Sequence, residues 1–147
     1  MKRTVLFAAV FTLLIASVAS AEDKNVSIHF DFQLTTWPNY VGTYTITGAI
    51  NETGPAEASV GTRVNDDGVL LIYANKVLHL MNGDIDLLIE GPLVSTGDAT
   101  VSVIGKWHLT GGTGAYADVK GHGTAAAVGD MAAGTFSGVY PGKVNTK

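Results

Sequence analysis

The chain of 147 residues contains no cysteine. Disulfides and thiolate metal sites are therefore excluded, and stability has to come from buried apolar side chains and backbone hydrogen bonds. Arginine is nearly as scarce, since Arg63 is the one arginine beyond the first three residues. Because nucleic-acid binding relies on clustered Lys and Arg, the sequence argues against a nucleic-acid partner.

No apolar run approaches the roughly 20 residues that a membrane-spanning helix needs. The run from Val5 to Ala16 follows Lys2 and Arg3 and precedes the small residues Ala19-Ser20-Ala21, as in a cleaved secretory signal peptide. We predict a signal peptide over residues 1–21, one domain over residues 22–147, secretion to the extracellular space or periplasm, and no stable membrane insertion. Removing Lys2 and Arg3 changes the formal net charge from −4 to −6.

No ten-residue helical period bounded by capping residues occurs in residues 22–147, and alternation of apolar with polar residues takes its place. The alternating or small-residue stretches are Val26–Leu34, Tyr40–Ile50, Asp84–Val94, Asp98–Thr110, Gly121–Val128 and Gly134–Tyr140. Two apolar runs, Val69–Ala74 and Lys76–Met81, precede the hairpin signal Asn82-Gly83. This pattern predicts an all-β fold of eight or nine strands with little helix, either a sandwich or a closed barrel.

The stretch GGTGAY, Gly111–Tyr116, formally satisfies a dinucleotide-binding motif when read from Gly112. Such a loop needs a helix directly after it, and the two glycines Gly121 and Gly123 leave room for hardly more than one helical turn. We therefore predict no cofactor. The residues Gly111, Gly112, Gly114, Tyr116, Gly121 and Gly123 are interpreted as a tight connection with positive-φ glycines and an aromatic residue folded back onto the barrel.

The stretch GKWHLTGGTGAYADVKGHGT, Gly105–Thr124, resembles the late hairpin of the allene oxide cyclase and dirigent-like β-barrels, particularly their secreted bacterial members. GTYTITGAI, Gly42–Ile50, is similar to an earlier strand of the same group. The resemblance implies an eight-stranded antiparallel barrel with an apolar cavity, often trimeric in the plant branches. Those plant proteins cyclise or steer reactive fatty-acid or phenolic intermediates, but the motifs of their catalytic residues have no counterpart here, so no reaction is carried over.

Few polar residues suggest a site. His79 and Glu90 sit among apolar neighbours and would suit acid–base catalysis if they faced a cavity. The commoner roles are non-catalytic: a hydrogen-bonded core or surface residue for His79, and an outward-pointing residue at a strand end for Glu90. The aromatic candidates for ligand contact, which could equally pack in the core or at a subunit interface, are Trp37, Tyr44, Tyr73 and Trp107. The histidines are too dispersed for a metal site, and the sequons at Asn25 and Asn51 matter only in a eukaryotic source.

Two functional hypotheses follow. The first is a secreted barrel that binds a small hydrophobic or aromatic molecule in its cavity, or that serves as an extracellular interaction module, as a monomer or as a homo-oligomer such as a dimer or trimer. The alternative is a cofactor-independent cyclase or isomerase acting on a conjugated lipid or phenolic intermediate, which requires an interior ionisable group with a shifted pKa. Both hypotheses require an interior that side chains do not fill completely.

Overall fold

The structure, a computed structural model, describes residues 22–146, so the predicted signal peptide lies outside the described residues. The strands are β1 Asp23–Thr36, β2 Asn39–Gly48, β3 Glu52–Val64, β4 Leu70–Leu80, β5 Gly83–Ser95, β6 Thr100–Gly112, β7 Lys120–Asp130 and β8 Thr135–Asn145. A short 3-10 helix, Gly114–Tyr116, lies between β6 and β7. No helix among these residues has the length and hydropathy of a membrane span.

Each strand pairs antiparallel with the next one along the chain, and β8 pairs with β1. This closing ladder runs from Asp23 opposite Asn145 to Gln33 opposite Thr135. The all-β prediction and the eight-stranded antiparallel barrel are therefore confirmed. Alternation alone could not distinguish a sandwich from a barrel, because both structures bury every second residue.

The apolar phase of each strand points into the barrel. On β1 the inward residues Val26, Ile28, Phe30 and Phe32 are buried, and the intervening residues of this stretch are half-buried or exposed. The two apolar runs around Asn75 prove to be one continuous strand, β4, with Asn75 on its outer face. The core is thus formed by side chains that converge from all eight strands.

Strand β3 is absent from the predicted strand set. Its inward positions hold the small residues Gly54, Ala56 and Ala58, and Pro55 follows Gly54 directly. Glycine and proline normally count against a strand. Pro55 is exposed, and its neighbours pair with β2 on one side and β4 on the other, so the closed sheet overrides the local propensity.

The strand connections divide between the two ends of the barrel. The turns β1–β2, β3–β4, β5–β6 and β7–β8 lie at what we call the four-turn end. The connections β2–β3, β4–β5 and β6–β7 lie at the terminal end, together with the start of β1 and the finish of β8. This division defines the two routes along which a molecule could approach the interior.

Candidate functional site

The inner wall of the barrel carries one buried charged residue among residues 22–146, Lys76 on β4, which is 6% exposed. Its Nζ lies 4.4 Å from the ring centroids of Phe30 and of Phe32, and 4.9 Å from that of Tyr140. These rings belong to β1 and β8, so the lysine reaches from its own strand to the opposite wall. We call Lys76 and these three rings the lysine cage.

The electrostatics of the lysine cage are unusual for a protein core. Burial lowers the pKa of Lys76 from 10.5 to about 7. No carboxylate within residues 22–146 forms an ion pair with this ammonium. Cation–π contacts compensate only part of the lost hydration of a cation. Burial therefore favours the neutral amine near pH 7, a state that an exposed lysine hardly populates.

The β6–β7 connection lies at the terminal end of the barrel. Tyr116 packs against the core from this connection, and burial followed by the Glu52 carboxylate raises its pKa. Burial, Glu52 and Tyr116 together raise the pKa of Tyr44 to about 12. Tyr44 lies on β2 and Glu52 on β3, whereas Tyr116 belongs to the β6–β7 connection. Tyr116 therefore adds a partly buried aromatic side chain to the core at the terminal end.

The four-turn end has the opposite character. Exposed large apolar side chains gather there and form what we call the apolar rim: Trp37, Val64, Val69, Leu70, Val94 and Met131. Among residues 22–146, the terminal end has a single exposed large apolar residue, Met81. Clustered exposed apolar groups generally mark a surface that contacts a ligand or a partner.

Side chains pack closely around the lysine cage. The ring centroid of Phe30 lies 5.5 Å from that of Phe32 and 4.9 Å from that of Tyr140. None of the five concavities described in residues 22–146 is lined by Lys76 or by these rings. The open interior that both hypotheses require is therefore not among these five concavities. A molecule bound beside Lys76 has to displace side chains, among which the unbranched lysine stem is the most adaptable.

The most apolar of the five concavities lies on the outside of the barrel. This outer groove has a volume of about 350 Å³ and crosses β6, β7 and β8, where Ile104, Val128 and Val139 are exposed. His29 and Ser137 contribute polar groups at its side. The groove is distinct from the lysine cage, because it is formed on the outer face of the sheet.

The aromatic candidates separate into an inner and an outer pair. Tyr44 and Trp107 are each 1% exposed and lie in the core, where the Tyr44 hydroxyl donates to the carbonyl oxygen of His79 at 2.9 Å. The Trp107 indole N–H donates to the carbonyl oxygen of Pro141 at 3.1 Å. Trp37 belongs to the apolar rim, and Tyr73 lies on the outer face of β4.

Both candidate catalytic residues lie on the outer face of the barrel. His79 Nδ1 is 3.0 Å from Asp84 Oδ1, and its Nε2 is 3.9 Å from Glu57 Oε2. Glu90 is paired with Arg63. Neither side chain can act on a molecule inside the barrel. The interior ionisable group that the cyclase hypothesis requires is instead supplied by Lys76.

The glycines interpreted as one tight connection have three different environments. Gly114 alone among them has a positive φ, of 58°. Gly111 and Gly112 are the last residues of β6, and Gly121 and Gly123 lie within β7. The β7 glycines are thus strand residues rather than turn residues, and a Cβ at Gly123 would lie 2.6 Å from the Trp107 indole nitrogen. The backbone carbonyl oxygen of Pro141 on β8 is closer still, so close approach of the neighbouring strand and of the ring explains this glycine better than turn geometry does.

Lys76 was missed because it opens the apolar run Lys76–Met81, where a lysine at the start of the run looks like a boundary residue. The sequence does contain a signal for it. Ile72, Ala74, Leu78 and Leu80 share the phase of Lys76, so a strict period of two across Asn75 would have placed the lysine inside.

Comparison of the chain with protein-family models, with curated proteins and with solved structures finds no match. Its own geometry therefore defines the class of protein: a closed eight-stranded antiparallel β-barrel with a lysine caged by aromatic rings in its core. The resemblance to allene oxide cyclase and dirigent-like barrels stays a prediction. The proposals below rest on the contacts described here.

Proposed function

We propose that the protein, secreted after removal of residues 1–21, binds a small hydrophobic or aromatic molecule inside the barrel, against the lysine cage. The observation that carries this proposal is the buried, unpaired Lys76. A leucine or methionine at this position would fill the core without the free-energy penalty of a buried cation. Destabilising polar groups in an otherwise consistent core are typical of functional sites.

The two ends of the barrel support a direction of entry. Tyr116 packs against the core at the terminal end, whereas the four-turn end carries the apolar rim. A hydrophobic molecule would meet the rim first and then the inward aromatic residues of β1 and β8. The inner wall holds the small residues Ala58 and Ala74 beside the backbone of Lys76, so little bulk surrounds the base of the lysine side chain on its own side of the barrel.

The test uses the neutral fluorescent amine N-phenyl-1-naphthylamine, which carries no charge that would bias it toward either surface. We expect saturable binding to residues 22–147, with intermolecular nuclear Overhauser effects from the probe to the methyl groups of Ala58 and Ala74. Val139→Ser, on the outer wall, is the matched control and should leave the affinity within twofold. Absence of binding, or contacts confined to the outer wall, would overturn the proposal.

The outer groove favours a second candidate function, that of an extracellular interaction module. Ile104 is 73% exposed and Val128 is 62% exposed, which is unusual for two apolar residues on adjacent strands of one sheet face. If the groove mediates association, including formation of a dimer or trimer, Ile104→Lys should abolish it because a charge would be buried at the contact. Sedimentation velocity of the wild type and of this variant measures the effect. A wild type that stays monomeric up to millimolar concentration contradicts self-association.

A further inference from the structure

We propose that Lys76 is a covalent binding site for a neutral, apolar aldehyde or ketone, which the amine captures as an imine inside the barrel. This inference rests on the proposed internal binding function and names the chemical class of the ligand. It is drawn from the position of Nζ on the inner wall, from the three ring faces around it, and from the absence of a carboxylate partner in residues 22–146.

The chemistry balances without any oxidant, reductant or cofactor. The neutral amine of Lys76 attacks the carbonyl carbon, a C–N bond forms, and the carbonyl oxygen takes up a proton to give a carbinolamine. Loss of that hydroxyl group as water leaves the imine, so that amine and carbonyl become imine and water. Desolvated lysines are the nucleophiles of such reactions, because burial leaves the amine unprotonated near neutral pH.

The lysine cage would also hold the product. A protonated imine is a cation, and it would lie where the ammonium lies now, 4.4 Å from the ring centroids of Phe30 and Phe32. The negative faces of aromatic rings attract a cation that has lost its hydration shell.

A carboxylate ligand is the competing choice, and the charges at the four-turn end argue against it. Acidic side chains stand there beside the apolar rim: Asp66, Asp67, Asp98 and Asp130. Arg63 is the basic residue near this end, and its charge is paired with that of Glu90. An anionic ligand would be repelled at the entrance and would lose its hydration in the core, whereas a neutral carbonyl compound avoids both penalties.

Few titratable groups line the interior, so the formation of the imine should depend on pH in a simple way. Besides Lys76, the inward titratable groups among residues 22–146 are the phenols of Tyr40, Tyr44, Tyr116 and Tyr140, and burial raises the pKa of each of them. The carboxylate of Glu52 also lies on the inward phase, at the terminal end of β3. The phenols stay neutral below pH 9, so Lys76 is the member of the lysine cage that changes charge near pH 7. Imine formation should therefore increase through pH 7 and level off near pH 8.

The test uses cinnamaldehyde, a neutral apolar aldehyde, and its alcohol, cinnamyl alcohol, which cannot form an imine. Residues 22–147 are incubated with the aldehyde at pH 7.5 and treated with sodium borohydride, and the adduct is located by intact mass and peptide mapping. We expect one saturable adduct at Lys76 that excess cinnamyl alcohol suppresses. The adduct should be lost in Lys76→Met and retained in Lys106→Met, since Lys106 is exposed on the outer wall.

The remaining outcomes separate the two proposals. If cinnamyl alcohol binds and the aldehyde gives no adduct, or gives adducts spread over the exposed lysines, the covalent site is wrong and the internal binding function stands. If cinnamate binds at least tenfold tighter than the alcohol and more tightly below pH 7, with no adduct from the aldehyde, Lys76 pairs with anions instead. If neither the alcohol nor the aldehyde binds, both proposals fail.

Discussion

At the scale of single residues, Lys76 shows how one side chain can lower the stability of a fold that otherwise packs well. Its pKa is about 7 in the barrel, whereas an exposed lysine in the unfolded chain has a pKa near 10.5. Between these two pH values the unfolded chain binds one proton more than the folded chain. The folded state therefore gains stability as the pH rises from 7 to 10.5, and the penalty for burying the charge is greatest below pH 7.

Replacing Lys76 with methionine should stabilise the barrel. The expected gain is about 1–4 kcal/mol at pH 6, because a flexible apolar side chain takes the place of an unpaired cation, and it should shrink toward pH 10. Urea denaturation followed by circular dichroism at several pH values measures it, with Lys106→Met as a control that should change stability by less than 0.5 kcal/mol. A destabilised Lys76→Met variant at pH 6 would show that the ammonium has partners that offset its burial.

At the scale of elements, strand β7 shows what local sequence can and cannot predict. Alternation located β1, β2 and β6, because a half-buried strand repeats every second residue. The hairpin signal Asn82-Gly83 indicated β5, and stretches of small residues indicated β7 and β8. Alternation could not assign Gly121 and Gly123, since a glycine beside a turn motif looks the same whether it serves the turn or a neighbouring ring. At Gly123 the backbone of Pro141 on β8 and the ring of Trp107 on β6 decide the matter, and both contacts depend on strand pairing that the local pattern does not contain.

The same limit explains the functional residues. Glu90 follows an apolar run along the chain, yet on a strand the neighbours at i±1 point to the opposite face. His79 shares its phase with the apolar residues Val77 and Met81, but this phase is the outer face of β4. Each of the two therefore lies on the outer wall, with charged partners. Lys76 was overlooked for the converse reason, because its buried surroundings are the residues at i±2 and the rings of distant strands.

The packing role of β7 is tested with Gly123→Ala. The added methyl group would overlap the Trp107 indole nitrogen and the backbone carbonyl oxygen of Pro141, so we expect a loss of about 1–3 kcal/mol in the free energy of unfolding. Gly111→Ala is the matched control, because the nearest atom to its Cβ is the flexible Asp86 Oδ2 at 3.4 Å. Equal stability of the two variants in urea denaturation would contradict the packing explanation.

At the scale of the whole molecule, closure between β1 and β8 decides whether the chain stays folded and unaggregated without disulfides. The closing ladder pairs both outer strands of the sheet, so no strand edge is left among the described residues. It also brings Tyr140 and Val144, which are 1% and 2% exposed, into the core. An open sheet would lose these buried side chains and present two unpaired edges, which readily pair with other copies of the chain.

A chain ending at Gly134 therefore should not form a stable monomer. It lacks β8, so β1 and β7 become edges, and Lys76 loses the Tyr140 face of its cage. Size-exclusion chromatography with light scattering should show aggregated or unfolded material, whereas a chain ending at Asn145, which keeps the whole ladder, should elute as the intact protein does. A monomeric, cooperatively unfolding truncation would mean that seven strands suffice for the core. In that case closure would serve to complete the lysine cage and would not be needed to hold the fold together.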